Sequence, residues 1–179
     1  MGLHKVAVLV EYDGTLFAGY QLQVGVRTVQ EQLEAAVLKL SGTASRAQAA
    51  SRTDSGVHAS GQVVGMWVRD EMQPATVVHG LNYYLPADVV VKGACVIDGD
   101  FDVRRRAAVR EYRYRIVTAA TRRPLQERFA LRLRGPLDVG LMRLAARELQ
   151  GVHDLASFAT DLDADVSTVR VVYEARVQQ

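Results

Sequence analysis

The chain has 179 residues, with 22 lysines and arginines against 20 aspartates and glutamates, a formal net charge of +2, 49% hydrophobic and 23% charged residues. That composition belongs to a soluble globular protein of one large or two small domains, long enough to bury a substantial core, and excludes a low-complexity or disordered chain. The longest early apolar run, Val6 to Val10, is closed by Glu11 and is far too short to span a bilayer. The N-terminus lacks a signal-peptide pattern, and Met1-Gly2 lacks the later Ser or Thr of a myristoylation site. The single cysteine, Cys95, lies in an apolar strand-like stretch and reads as a reduced core residue. Together these features predict a cytoplasmic protein with no membrane partner.

The small net charge conceals an asymmetry. Between Arg104 and Glu148, thirteen arginines stand against Glu111, Glu127, Asp138 and Glu148, a balance of +9 that leaves −7 for the rest. Only Lys5, Lys39 and Lys92 are lysines. Arginine grips phosphate bidentately and stacks on bases, so an arginine-rich block interleaved with Tyr112 and Tyr114 suits RNA. A solvated strand face in an arginine-preferring composition fits the same pattern equally well.

In chain order, Val6 to Tyr12 reads as a strand. Thr28 to Leu40 reads as an amphipathic helix with Val29, Leu33, Ala36, Val37 and Leu40 on one face, a Thr28/Glu31 capping box, and a stop at Ser41-Gly42. A strand then leads into a turn around Asp54, and Gln62 to Val68 leaves it as another. Pro74 opens a second helix to about Leu85, and Asp88 to Ile97 is a Val-rich strand. The order β-α-β-β-α-β is the ferredoxin-like split unit, complete by about Asp100. A second unit follows. Val109 to Val117 alternates as a half-buried strand, Phe129 to Leu133 predicts a short extra strand, Asp138 to Gln150 a helix closed by Gly151, and Thr168 to Val177 a strand.

The stretch Ser51-Arg52-Thr53-Asp54-Ser55-Gly56-Val57-His58-Ala59 carries the chemistry. Asp54 sits in a small-residue turn between two strands, where a carboxylate faces solvent, and Arg52, two positions away, shares its face if the segment is extended. A plain surface turn has the same composition. Other site classes are poorly supplied. His4, His58, His79 and His153 with one cysteine give no metal-ligand spacing, Asp54, Ser55 and His58 lie too close in one loop for triad geometry, and no glycine-rich phosphate fingerprint is present.

This stretch resembles the GRTDAGVHA box of the TruA-type tRNA pseudouridine synthases, with Ser51 in place of its first Gly and Ser55 in place of Ala. Tyr12-Asp13-Gly14-Thr15 and Gly19-Tyr20-Gln21-Leu22-Gln23 resemble that family's YDGT and GWQ.Q opening, and Thr28-Val29-Gln30 with Leu33-Glu34 its TVQ..LE helix start. Gly61-Gln62-Val63, Leu81-Asn82 with Leu85-Pro86, Phe101 with Arg104, and Arg110-Glu111-Tyr112-Arg113-Tyr114 follow in the family's order. Gly151-Val152-His153-Asp154-Leu155 with Ser157-Phe158, and Thr168-Val169-Arg170, extend the likeness to the end. In the segment that resembles FHARFSA, Asp102 replaces His, and Arg105 and Arg106 replace Phe and Ser.

The resemblance implies an α+β fold of two ferredoxin-like halves with merged antiparallel sheets. The first half, residues 1–100, carries the aspartate loop. The second, residues 101–179, is arginine-rich and incomplete: about two further strands and a helix, with a basic partner for the aspartate, follow the TVR strand in the family. It implies a cofactor-free, metal-free isomerase converting uridine to pseudouridine in the tRNA anticodon stem-loop, at tRNA positions 38 to 40, as a homodimer. Asp54 would be catalytic, by nucleophilic attack at C1′ or by deprotonation to a glycal. Arg52 would fill the space of the extruded base and hold its phosphate, Tyr112 would stack on the flipped uracil, and Arg104 would contact RNA or line the cleft. Arg110, placed among the substrate-binding residues, and Arg170 each read as either a phosphate contact or a surface residue, and His153 and Asp154 as marking the turn after the helix. A catalytically impaired tRNA-binding remnant, and an RNA-independent ferredoxin-like interaction module, are the competing expectations.

Overall fold

The structure, a computed structural model, describes residues 2–158 and 167–179. It is α+β and falls into two compact units, Met1–Tyr114 and Arg115–Gln179.

The first unit is built on β1 (Leu3–Tyr12), whose alternate residues Val6, Val8, Val10 and Tyr12 are all buried. Helix α1 (Val29–Ser41) starts where the Thr28 hydroxyl accepts the Glu31 amide at 3.3 Å and stops at Gly42, whose φ of +68° closes the last turn. Its buried face is Val29, Leu33, Ala36 and Val37. Strands β2 (Gln48–Ala49) and β3 (Ala59–Arg69) flank the Asp54 turn. Helix α2 (Pro74–Tyr84) opens on proline, which lacks the amide that a first helical turn leaves unused, and β4 (Val89–Ile97) ends the set. The spatial order is β2-β3-β1-β4, with every neighbouring pair antiparallel. The two helices pack on each other and cover the sheet face of Val64, Met66, Val68, Val89 and Val91. Each of these side chains contributes about 1.5–3 kcal/mol by leaving water.

The sheet departs from simple alternation in β4. Leu9 pairs with Gly93 but Val10 pairs with Val91, so Lys92 is an extra residue in a bulge. Asn82 on α2 supports the strand there, donating to the Val91 carbonyl at 2.8 Å and accepting the Val91 amide at 2.7 Å. The bulge reverses the strand's facing. Val89 and Val91 point inward before it, and Cys95, in the same odd register, emerges exposed opposite Ala7. The expectation of a core cysteine is therefore corrected.

After β4 the chain turns back over the sheet face away from the helices. Lys5 Nζ donates to the Phe101 carbonyl at 2.8 Å, and Val103, 2% exposed, lies against Gly65. Asp102 Oδ1 accepts the amides of Arg104 and Arg105 and the Gln48 side chain, and these backbone bonds hold its carboxyl below the usual carboxylate range. Where the family box has histidine, this aspartate caps a turn. Residues 101–114, read from sequence as the start of the second half, thus pack within the first unit.

The second unit contains β5 (Ile116–Thr118), α3 (Pro124–Glu127), β6 (Leu131–Leu133), α4 (Val139–Glu148), β7 (Gly151–Asp154) and β8 (Val169–Val172). Strands β5 and β6 are parallel and β7 and β8 antiparallel, so the antiparallel expectation holds for β1–β4 but not for β5–β6. Asp138 caps α4 by accepting the Leu141 amide at 2.9 Å. None of the second unit's described residues is buried, and Leu141 and Leu144 of α4 and Leu149 just after it are exposed.

Three sequence expectations change here. The strand from Val109 to Val117 is reduced to β5, because residues 110–115 have no ladder partner, and Tyr112 and Tyr114 are 76% and 75% exposed. The strand from Thr168 to Val177 is reduced to β8, whose partner β7 is four residues long. His153 and Asp154 lie in β7, not in a turn.

A bidentate pair closes the first unit: Arg27 donates to both oxygens of Asp88, at 2.7 and 2.8 Å, while its guanidinium lies 4.1 Å over the Phe17 ring. The hydrogen bonds from Arg27 hold the Asp88 carboxyl below the usual range. The pair therefore stabilises the fold above the unfolded carboxylate pKa of ~3.9 and is lost as pH falls through the lower folded value. Because the pair is partly exposed, Asp88→Asn is expected to cost about 1 kcal/mol in urea denaturation at pH 7. The gap between wild type and variant should begin to narrow near the unfolded value of about 3.9 and close only once pH has fallen past the lower folded value.

Candidate active site

The Asp54 loop is held by hydrogen bonds to backbone groups and polar side chains around it and not by burial. At its start, Gln62 clamps Ser51 on both sides: its Oε1 accepts the Ser51 amide at 3.3 Å and its Nε2 donates to the Ser51 carbonyl. Gln62 is 7% exposed and occupies an inward position of β3, in register with Val64, Met66 and Val68. Thr53 follows, its hydroxyl 2.7 Å from the Tyr12 hydroxyl and its carbonyl accepting the Tyr20 amide at 2.9 Å. Burial pushes the Tyr12 phenol up, with its hydrogen bonds to Thr53 and Gln62 opposing. Tyr20 is fixed in turn by donating to the Ala47 carbonyl at 2.8 Å, and burial pushes its phenol well above the ordinary value.

Asp54 opens a tight turn in which its carbonyl accepts the Val57 amide at 3.2 Å. Gly56 has φ +77°, a left-handed conformation that suits glycine. The Phe17 carbonyl accepts both the Gly56 amide, at 3.1 Å, and the Ser55 hydroxyl, at 3.3 Å. At the far end the loop passes directly over Gly14, where a β-carbon would lie 2.0 Å from the Val57 carbonyl oxygen. His58 Nδ1 lies 3.1 Å from both the Gly14 amide and Asp13 Oδ1. The YDGT segment is thus the floor of the loop.

Against this frame the Asp54 side chain is exposed and makes no hydrogen bond or ion pair among the described residues. Arg52 does not pair with it. Its side chain lines a polar groove of about 250 Å³ with Gln21, Leu22, Gln30 and Arg46. Arg46 reaches Glu34 at 3.3 Å, and Glu34 accepts the Gln30 amide at 2.7 Å. Arg110 and Tyr112 both arrive at the loop's first residues. The Arg110 guanidinium donates twice to the Ala50 carbonyl, at 3.2 and 3.0 Å, and once to the Arg104 carbonyl at 2.8 Å. The Tyr112 hydroxyl lies 3.1 Å from Ser51 Oγ. Arg104 is bonded through its backbone, its amide to Asp102 and its carbonyl to Arg110, and its guanidinium has no partner among the described residues.

Residues of the second unit serve local structure. Arg170 donates to the carbonyls of Ser167 and Val169, and His153 Nε2 sits 2.8 Å from the Gln150 carbonyl. Asp154 accepts the Thr168 hydroxyl and the Ala156 amide, and these bonds hold its carboxyl low.

Sequence reasoning assigns no role to Gln62. A polar residue in the inward register of an apolar strand is the signal that marks it, since a buried amide there needs partners. Gln62→Leu preserves size but strands the Ser51 amide and carbonyl. It is expected to cost about 1–3 kcal/mol in urea denaturation and to make the 51–58 loop the first site of limited proteolysis.

A family model described as tRNA pseudouridine synthase matches residues 8–104. The tRNA pseudouridine synthase A of Chloroflexus aurantiacus is 42% identical over 175 residues, covering 98% of this chain and 63% of that protein. Those of Geobacter sp. (strain M21) and Shouchella clausii are 38% and 37% identical over 177 residues, covering 99% and 98% of this chain and 72% and 68% of theirs. The chain thus spans between about two thirds and three quarters of the length of two of these relatives, and slightly less than two thirds of the first. With the matched region running from β1 through the aspartate loop to Arg104, the chain belongs to the tRNA pseudouridine synthase family.

Proposed function

We propose that this chain isomerises uridine to pseudouridine in the anticodon stem-loop of tRNA, with Asp54 as its catalytic carboxylate. The observation that carries the reading is a solvent-facing aspartate on a loop whose backbone is pinned at Ser51, Thr53, Ser55, Gly56 and His58. Fixed geometry of this kind is what a carboxylate needs in order to reach a sugar carbon in line. The reaction breaks the bond from C1′ to N1 and forms one from C1′ to C5. N1 takes up a proton and C5 releases one, so the atoms balance within one nucleotide. Asp54 either attacks C1′ or removes a sugar proton to give a glycal, and the two routes share this placement.

The surrounding residues take their parts from the same geometry. Arg52, turned into the groove of Gln21, Gln30 and Arg46, meets the phosphate of the flipped nucleotide and fills the place of its base. Tyr112, exposed and held at the loop's edge, stacks on the extruded uracil. Arg104 and Arg110 bring positive charge beside the loop, Arg110 with three donors already placed on carbonyls and its charge intact. The order β-α-β-β-α-β with strands β2-β3-β1-β4 supports a ferredoxin-like first half. The protein acts in the cytoplasm as a homodimer. Among the described residues no helix is long and apolar enough to cross a membrane.

Tritium release from tRNA labelled at uracil C5 tests the reading. The wild-type chain should release tritium, and Asp54→Ala should reduce the rate at least a thousandfold while tRNA affinity stays within about twofold, since an exposed carboxylate contributes nothing to holding phosphate. Wild-type binding without release would sink the assignment of activity to these residues.

A further inference from the structure

Tyr112 is 76% exposed and sits in an irregular segment with no ladder partner, so strand pairing and core packing do not fix its ring. Two contacts bring that segment to the loop: the Arg110 guanidinium on the Ala50 carbonyl, and the Tyr112 hydroxyl 3.1 Å from Ser51 Oγ. The second is the only hydrogen bond the Tyr112 side chain makes among the described residues. Ser51 is in turn the best-anchored residue at the loop's start, its amide and carbonyl both bonded by the buried Gln62. The hydroxyl of a residue whose backbone is fixed thus meets the tip of an aromatic ring that strand pairing and core packing leave free, three residues from Asp54.

We propose that Ser51 is a positioning residue that holds the Tyr112 ring against the Asp54 loop through the bond between their hydroxyls, ordering the ring before a nucleotide arrives. The inference rests on the reading of Tyr112 as the surface on which the uracil stacks. Both hydroxyls can donate and accept, so one bond leaves each with capacity for a second partner. Ordering the ring in the free protein lowers the cost of ordering it on binding, which strengthens binding and orientation without any contact between Ser51 and the RNA. A glycine at position 51, as in the family's box, has no group for this, so the device belongs to this chain's own serine.

The test is a double-mutant cycle on the full chain, comparing wild type, Ser51→Ala, Ser51→Thr, Tyr112→Phe and Ser51→Ala/Tyr112→Phe. Tritium release from C5-labelled tRNA and equilibrium binding of the same tRNA are both measured. Ser51→Ala should lower kcat/KM about 3- to 10-fold with an unchanged urea midpoint, the effect of one exposed hydrogen bond. Ser51→Thr should restore most of the loss, and Ser51→Ala should have no further effect once Tyr112 is phenylalanine. A serine that served only the loop's own structure would give the same loss in both backgrounds. Equal losses, or no loss from Ser51→Ala, overturn the proposal. If the wild type binds tRNA without turnover, the same cycle is read on affinity. Tyr112→Ala separates this proposal from the reading beneath it. If that variant matches wild type in both turnover and affinity, the stacking role of Tyr112 falls and Ser51 with it. If Tyr112→Ala is damaging while Ser51→Ala is neutral, only the positioning role falls.

Discussion

An aspartate that has to stay in water cannot be held by packing, and the first unit is arranged around that constraint. Fixing one residue's backbone costs about 1–2 kcal/mol, and a net hydrogen bond returns roughly 0.5–1.5 kcal/mol, so a loop that presents Asp54 needs an anchor at nearly every residue. It has them. Gln62 takes Ser51, Tyr12 and Tyr20 take Thr53, the Phe17 carbonyl takes Ser55 and Gly56, and the Gly14 amide takes His58. The anchoring groups come from β1, from the turns after it and from β3, which are the parts most firmly tied to the core. Rigidity at the exposed carboxylate is therefore transmitted from buried valines through a small number of polar side chains.

The same frame explains why arginine chemistry is divided among roles. Arg27 is used up in a bidentate pair with Asp88, and Arg132 lies 2.9 Å from Glu127 in the second unit. Arg110 is different, because its donors rest on neutral carbonyls of Ala50 and Arg104. Its charge is not cancelled and remains available to attract an anion. Arg52 and Arg104 have no acidic partner among the described residues, and Arg46 is only partly engaged by Glu34. Around the Asp54 loop the charge without an acidic partner is thus mostly positive, and held in place at Arg110, which favours a polyanion over a neutral ligand.

Much of this arrangement is legible in the sequence, and the exceptions have definite physical reasons. The inward alternation of Val6, Val8 and Val10, the Thr28 cap and the Gly42 stop all act locally, and each element they define is present. Cys95 is misread because a bulge at Lys92 shifts the facing of β4 by one residue, and Gly93 beside it is the one residue in the strand that marks such a break. The Tyr–Arg alternation from Val109 onward is real, but alternation yields a strand only where a neighbouring strand completes the ladder. Here the tyrosines remain exposed, and the segment is fastened through side chains instead. The Asp54 motif marks the candidate loop, whereas the groups that hold it come from positions 12, 14, 17, 20 and 62. Only the inward glutamine among them carries a local sign of its purpose.

The division of stability within the chain bears on where function resides. All of the buried apolar side chains among the described residues lie between Val6 and Val103, and the second unit has none. A ten-residue helix such as α4, with Leu141 and Leu144 exposed and Val139, Met142 and Ala146 only partly buried, gains little from its own propensity and little from burial. The free energy that holds a precise geometry is therefore concentrated in Met1–Tyr114. Asp54, Arg52, Arg104, Arg110 and Tyr112 all fall inside that boundary. Tyr112 does so with only two residues to spare, by contacts with the loop and not by membership of a strand. The arginine-rich segment is in this sense part of the aspartate's support: the Arg110 anchor on Ala50 and the Tyr112 contact with Ser51 bring the Tyr112 ring and the Asp54 loop into one mechanically continuous unit.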